Sequence, residues 1–183
     1  QAALPEAPAP ETQTAEEAQT AEPDADWTVL LYLCGTDLET DGGMATVNLE
    51  EIAATQANES VNVLIQTGGT NEWHALETTG LDIAANRLQR YRYSEAGFSL
   101  EDEGELQNMA DSQTLTDFIQ WGAKNYPAKK YLLCLWDHGA GSSGGLIVDQ
   151  KFDNATMMLE DLRKAVQDAG VRFETVVLDT CLM

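Results

Sequence analysis

A histidine and a cysteine, each set just past an apolar run, are the residues of this chain whose types and placement could do chemistry. Tyr131 to Trp136 is apolar without alternation, and Asp137, His138 and the glycine-rich stretch Gly139 to Gly145 follow it. Phe173 to Leu178 is a second mostly apolar run, and it delivers Asp179, Thr180 and Cys181. A thiol near neutral pH is mostly protonated. A neighbouring imidazole either takes its proton or holds the thiolate as an ion pair, which makes an acyl-transfer nucleophile. If the two runs are neighbouring parallel strands, their carboxyl ends bring His138 and Cys181 together whatever their separation in sequence. The bland alternative is a buried cysteine and an incidental His-Gly turn.

Other motifs compete for the same loop. Gly139, Gly141 and Gly144 satisfy the dinucleotide pattern GxGxxG, but no helix follows directly to receive a pyrophosphate. Gly141, Ser143 and Gly145 satisfy GxSxG, yet a nucleophilic serine needs a sharp strand-to-helix turn, and the strand ends several residues too early. Glycines that let the backbone pass close to a substrate and expose its amides explain the same residues. His74, beside Trp73, reads as a packing or surface residue. Cys34 and Cys134 lie in or at the end of apolar runs, where a small buried thiol is expected. No CxxC pair exists, so neither a structural zinc site nor a disulfide framework is indicated.

The elements that must hold these residues alternate between strand and helix. Trp27 to Cys34 (WTVLLYLC) reads as a strand covered on both faces, closed by a turn at Gly35, Thr36 and Asp37. Met44 to Thr55 has apolar residues near helical spacing, and Val61 to Gln66 reads as a second strand. Within Thr70 to Phe98, the runs TNEWHALETT and RLQRYRYSE alternate partially and suit a small peripheral hairpin. A helix is expected from Ser112, its cap, to Tyr126, stopped by Pro127 and leading into the strand before His138. Leu146 to Val148 reads as a short strand, Asp149 to Asn154 as a polar loop containing Lys151, and Thr156 to Ala169 as an amphipathic helix ended by Gly170. The alternation predicts an α/β fold with a mostly parallel sheet between helical layers. A helix is expected after Cys181, so the chain reads as truncated there.

Composition bounds the partners. Ten basic against thirty-one acidic residues give a net charge of −21, which argues against nucleic acid or an anionic membrane as partner. Residues 1–26 are an Ala/Pro/Glu-rich stretch carrying seven acidic residues and no base, with Leu4 as the one large apolar side chain. Such a segment buries too little to offset its ordering entropy and reads as a tether or propeptide, leaving 27–183 as the folded part. No apolar stretch approaches the roughly 20 residues that cross a bilayer. The chain begins at Gln1 without a methionine, so an upstream segment, such as a signal peptide, is expected.

The runs YLLCLWDHGAG and VVLDTCLM, with WTVLLYLCGTDLE near the start and LTDFIQWGAKNYPAKKY before His138, resemble the clostripain family of bacterial cysteine peptidases, relatives of caspases, gingipains and legumains. The resemblance covers most of Trp27 to Met183. It implies a caspase-like α/β/α sandwich and a secreted or surface-tethered endopeptidase cleaving protein or peptide substrates after Arg or Lys. It gives His138 the role of general base and acid, Cys181 that of nucleophile, and the backbone amides of Gly139 and Cys181 that of oxyanion hole. Asp179 becomes the acidic floor of the pocket for a basic side chain, which needs a desolvated carboxylate partner; otherwise it caps a strand end. Maturation by self-cleavage is implied in the loop after the histidine, and Lys151 there makes the bond to Phe152 the expected processing site. The remaining part of the precursor is the expected partner. No cofactor is required by the chemistry. Ca2+ enters as an option because the family has calcium-dependent members, although no EF-hand spacing is present. The other reading is a non-catalytic caspase-like binding or scaffold domain.

Overall fold

The computed structural model describes residues 23–141 and 143–181. The expected tether at 1–26 therefore lies almost wholly outside the described residues. The first strand opens at Ala25, two residues before Trp27.

The long apolar runs become the centre of one six-stranded sheet. β1 (Ala25–Cys34), β2 (Val61–Gly68), β3 (Arg87–Ser94), β4 (Gly97–Glu105), β5 (Ala128–Asp137) and β8 (Thr175–Thr180) stand in the order β4-β3-β2-β1-β5-β8. β1 lies between β2 and β5 and runs parallel to both. It is buried on its two faces, hence the absence of a polar alternation in its sequence. β5 pairs in parallel with β8, and β3 and β4 finish the opposite edge as an antiparallel pair.

Helices cover the faces. α1 (Thr36–Gly42) and α2 (Met44–Ala53) follow β1, while α3 (Ser112–Asn125) and α4 (Leu159–Ala169) precede β5 and β8. Two cores result. Leu30, Leu64, Leu133 and Leu135 pack with Leu115, Phe118 and Ile119 of α3 and with Leu162 and Ala165 of α4. On the other face Leu33, Ile65 and Trp136 pack with Ala45 and Leu49 of α2. The expected α/β/α sandwich around a mostly parallel sheet is what the chain adopts.

Four local expectations differ. Residues 70–86 form no strand: Trp73, Leu76 and Ile83 turn into the second core as an irregular cover, so their partial alternation reflects packing from a loop. The partner of Arg87–Ser94 is instead Gly97–Glu105, and this hairpin belongs to the main sheet. The small separate hairpin is β6 (Ile147–Asp149) with β7 (Ala155–Met157), joined through a single 3-10 turn at Gln150–Phe152 and the left-handed Asp153 and Asn154. α4 consequently starts at Leu159 rather than Thr156. At the start of α3 the cap is Asp111, whose carboxylate accepts from the Gln113 backbone N–H at 2.9 Å.

Candidate functional site

Two neighbouring strands bring the sequence candidates to one place. In the β5–β8 pair the last registered partners are Trp136 with Asp179 and Asp137 with Thr180. His138 and Cys181 are the next residues on each strand, at the carboxyl end of the sheet, where open parallel sheets bind their ligands. Cys181 is exposed, whereas Cys34 is buried and Cys134 half-buried. Gly139 is pressed against the cysteine: a Cβ there would lie 2.0 Å from the Cys181 carbonyl oxygen and 2.7 Å from Thr180 Oγ1. Only glycine lets the two chains approach this closely.

Asp179 alternates with Cys134 and Cys181 on one face of the sheet, and its side is exposed. Its charge is felt across the strand pair. Burial first, and then the Asp179 carboxylate, push the Cys134 thiol up to about 11, so that thiol is no nucleophile at neutral pH. Burial, and then Asp137, also push the Cys34 thiol well above the ordinary range.

Two carboxylates that the sequence reading passed over meet His138. Asp137, 3% exposed, accepts hydrogen bonds from the His138 backbone N–H and, at 2.5 Å, from the Val148 N–H. It thereby ties the β5 end to β6. Burial raises its carboxyl from the ordinary 3.8 to about 7, against the lowering effect of those two amides. Asp37, in α1, sits on the solvent side, with Oδ1 2.8 Å from His138 Nε2. That contact holds its carboxyl below the ordinary range. An aspartate closing a buried strand next to a histidine was a usable signal for Asp137. Asp37 had none, because its approach depends on the β1–β5 pairing.

The remaining candidates fall elsewhere. His74 donates its backbone N–H to Glu39 Oε1 at 2.8 Å and holds its Nδ1 3.3 Å from the same oxygen, so it belongs to the mount of α1. The glycine loop turns back after Gly141, whose carbonyl accepts from the Gly144 and Gly145 amides at 3.1 and 3.2 Å. β6 follows, so neither a phosphate-binding helix nor a serine elbow forms. Lys151 lies in the 3-10 turn, its N–H donating to Asp149 Oδ1 at 2.8 Å. The turn is anchored on its amino side, where Gln150 donates its N–H to the Gly69 carbonyl at 3.0 Å and its Oε1 accepts from Thr40 Oγ1 at 2.9 Å. Among the described residues no group of three or more His, Cys, Asp or Glu could hold a metal ion, and no helix is long and apolar enough to cross a membrane.

Residues 32–183 match the family model of the clostripain family, peptidase family C11. The chain belongs to the clostripain family. Its fold is that of solved C11 structures. A secreted C11 cysteine protease from Bacteroides thetaiotaomicron, "iotapain", superposes with a TM-score of 0.63 at 16% identity, over 88% of this chain and 47% of that one. A secreted C11 protease of the same organism bound to an irreversible peptide inhibitor gives 0.61 at 19%, over 87% and 43%. An inactive zymogen C11 protease from Parabacteroides distasonis gives 0.58 at 23%, over 89% and 44%. This clostripain-family chain thus spans less than half the length of each of these structures. No curated protein matches it.

Proposed function

We propose that this chain carries the nucleophile and the base of a cysteine endopeptidase that cleaves after Arg or Lys. The observation that carries the reading is the β5–β8 register: with Asp137 paired to Thr180, His138 and Cys181 are adjacent residues at the ends of adjacent parallel strands. Membership of the clostripain family supports it.

In this mechanism His138 accepts the Cys181 thiol proton and the thiolate attacks the scissile carbonyl carbon. The oxyanion is received by the amides of Gly139 and Cys181, with Gly139 held against the cysteine as only glycine permits. Collapse breaks the C–N bond, and the amine leaves with the proton from His138. Water, deprotonated by the same imidazole, then hydrolyses the thioester and regenerates the thiol. Asp179, exposed on the Cys181 face one residue before Thr180, supplies the carboxylate for a basic side chain.

The same reading takes the Lys151–Phe152 bond as the site of self-cleavage. Lys151 follows an anchored Gln150, and the turn closes beyond it through Asp153 and Asn154 in left-handed conformations, which these two residue types adopt more readily than other non-glycine residues. It also takes the protein as exported, with Ca2+ an optional ligand and the rest of a longer precursor as partner.

The test uses the full-length protein beside its Cys181→Ala variant, on fluorogenic peptides that differ only in Arg, Lys or Asp at the residue before the cut. Cleavage after Arg or Lys by the wild type alone is expected, with mass spectrometry finding a new amino terminus at Phe152. A wild type that cuts none of the peptides would turn the reading towards a non-catalytic domain of this fold.

A further inference from the structure

We infer that Asp37 is the positioning residue for His138: it holds Nε2 and so presents Nδ1 to the Cys181 thiol. The inference rests on the peptidase reading above and adds to it a third group and the choice of ring nitrogen.

Asp37 Oδ1 lies 2.8 Å from Nε2, a strong hydrogen-bond distance for a charged acceptor. With one ring nitrogen engaged, the other is the one left to exchange a proton with the thiol. A carboxylate on the far nitrogen fixes the tautomer and stabilises the imidazolium that forms when the thiolate does.

The contact is not an incidental surface pair, because α1 is mounted to aim it. Thr36, directly before Asp37, has a left-handed φ of 48°, a conformation that a β-branched residue adopts only when its surroundings impose it. Those surroundings are present. The Gly35 N–H donates to the Gly68 carbonyl at 2.9 Å, and Thr70 Oγ1 donates to the Thr36 carbonyl at 2.8 Å. Two residues beyond Asp37, Glu39 is fully buried, and its carboxylate accepts from the Thr46 N–H at 2.8 Å, Thr46 Oγ1 at 2.6 Å and the His74 N–H at 2.8 Å. The helix is therefore pinned to β2, to α2 and to the 70–76 segment on both sides of Asp37. The Asp37 and His138 side chains remain 57% and 37% exposed. At that exposure an ion pair contributes little to stability, so orientation of the ring is what the arrangement supplies.

The experiment compares full-length wild type, Asp37→Ala, Asp37→Asn and Cys181→Ala on the basic peptides, with kcat and KM resolved separately and Cys181 alkylation by iodoacetamide timed in parallel. Asp37→Ala is expected to lower kcat by about 10–100-fold, part of what a positioned base contributes, with KM within about twofold and alkylation slowed in step. Asp37→Asn, which keeps an oxygen acceptor and loses the charge, falls between. Wild-type kcat and alkylation in Asp37→Ala beside an inactive Cys181→Ala overturn this inference and leave the peptidase reading standing. A raised KM at unchanged kcat also overturns it, since Asp37 would then contact substrate. Full activity in Cys181→Ala overturns the peptidase reading, and this inference with it.

Discussion

His138 stands between two carboxylates in opposite settings. The one next to it in sequence, Asp137, is sealed under the β5 end and spends both oxygens on backbone amides. The one from α1, distant in sequence, is Asp37, which is open to solvent and touches the ring. Burial raises the first carboxyl, and the histidine lowers the second. A carboxylate that builds a site and one that tunes it are therefore separable by environment, and the separation should appear in different measurements.

The largest stability effect belongs to the buried side. Asp137→Ala strips the acceptor from two backbone donors and is expected to cost about 2–4 kcal/mol in chemical denaturation; a loss below about 0.5 kcal/mol would erase the contrast. Asp137 also has a pH signature. Between 3.8 and about 7 the folded protein keeps a proton that the unfolded chain releases, so this group removes stability as pH rises through that window. Asp137→Asn should flatten that part of the profile, and an unchanged slope would assign it to other groups.

Glu39→Gln is intermediate. The amide keeps one acceptor where the buried carboxylate satisfies three donors, so a loss of about 1–2 kcal/mol is expected, accompanied by a fall in kcat because α1 carries Asp37. Unaltered kcat at reduced stability would uncouple the helix from the ring. The smallest effect is the stability change in Asp37→Ala, under about 1 kcal/mol for an exposed pair. What little there is should be present above the ordinary carboxylate pKa and vanish as pH falls below the lowered one. A larger loss would make Asp37 a builder too.

The same division explains what the sequence made legible. β1 and β5 could be read from their unbroken apolar runs, and α3 from its spacing and Pro127, because burial on two faces leaves a continuous run and burial on one leaves a period. Placing His138 and Cys181 at neighbouring strand ends needed only that the runs be parallel neighbours. β4, GFSLEDEGE, is an exposed acidic edge whose outward residues mask any alternation. α1 is a seven-residue helix opened by a left-handed threonine, too short to show a period. Asp37 lies 101 residues from His138, and no local pattern announces a contact set by the register of β1 against β5.

That register has a consequence in time. β1 is the centre of the sheet, yet its β5 partners, Trp27 with Lys130 among them, come about one hundred residues later in the chain. At roughly 5–20 residues per second of synthesis, one edge of this mostly apolar strand waits about 5–20 s for its neighbour. During that interval the unpaired edge of WTVLLYLC is open to chaperones, and to mispairing with its own copies.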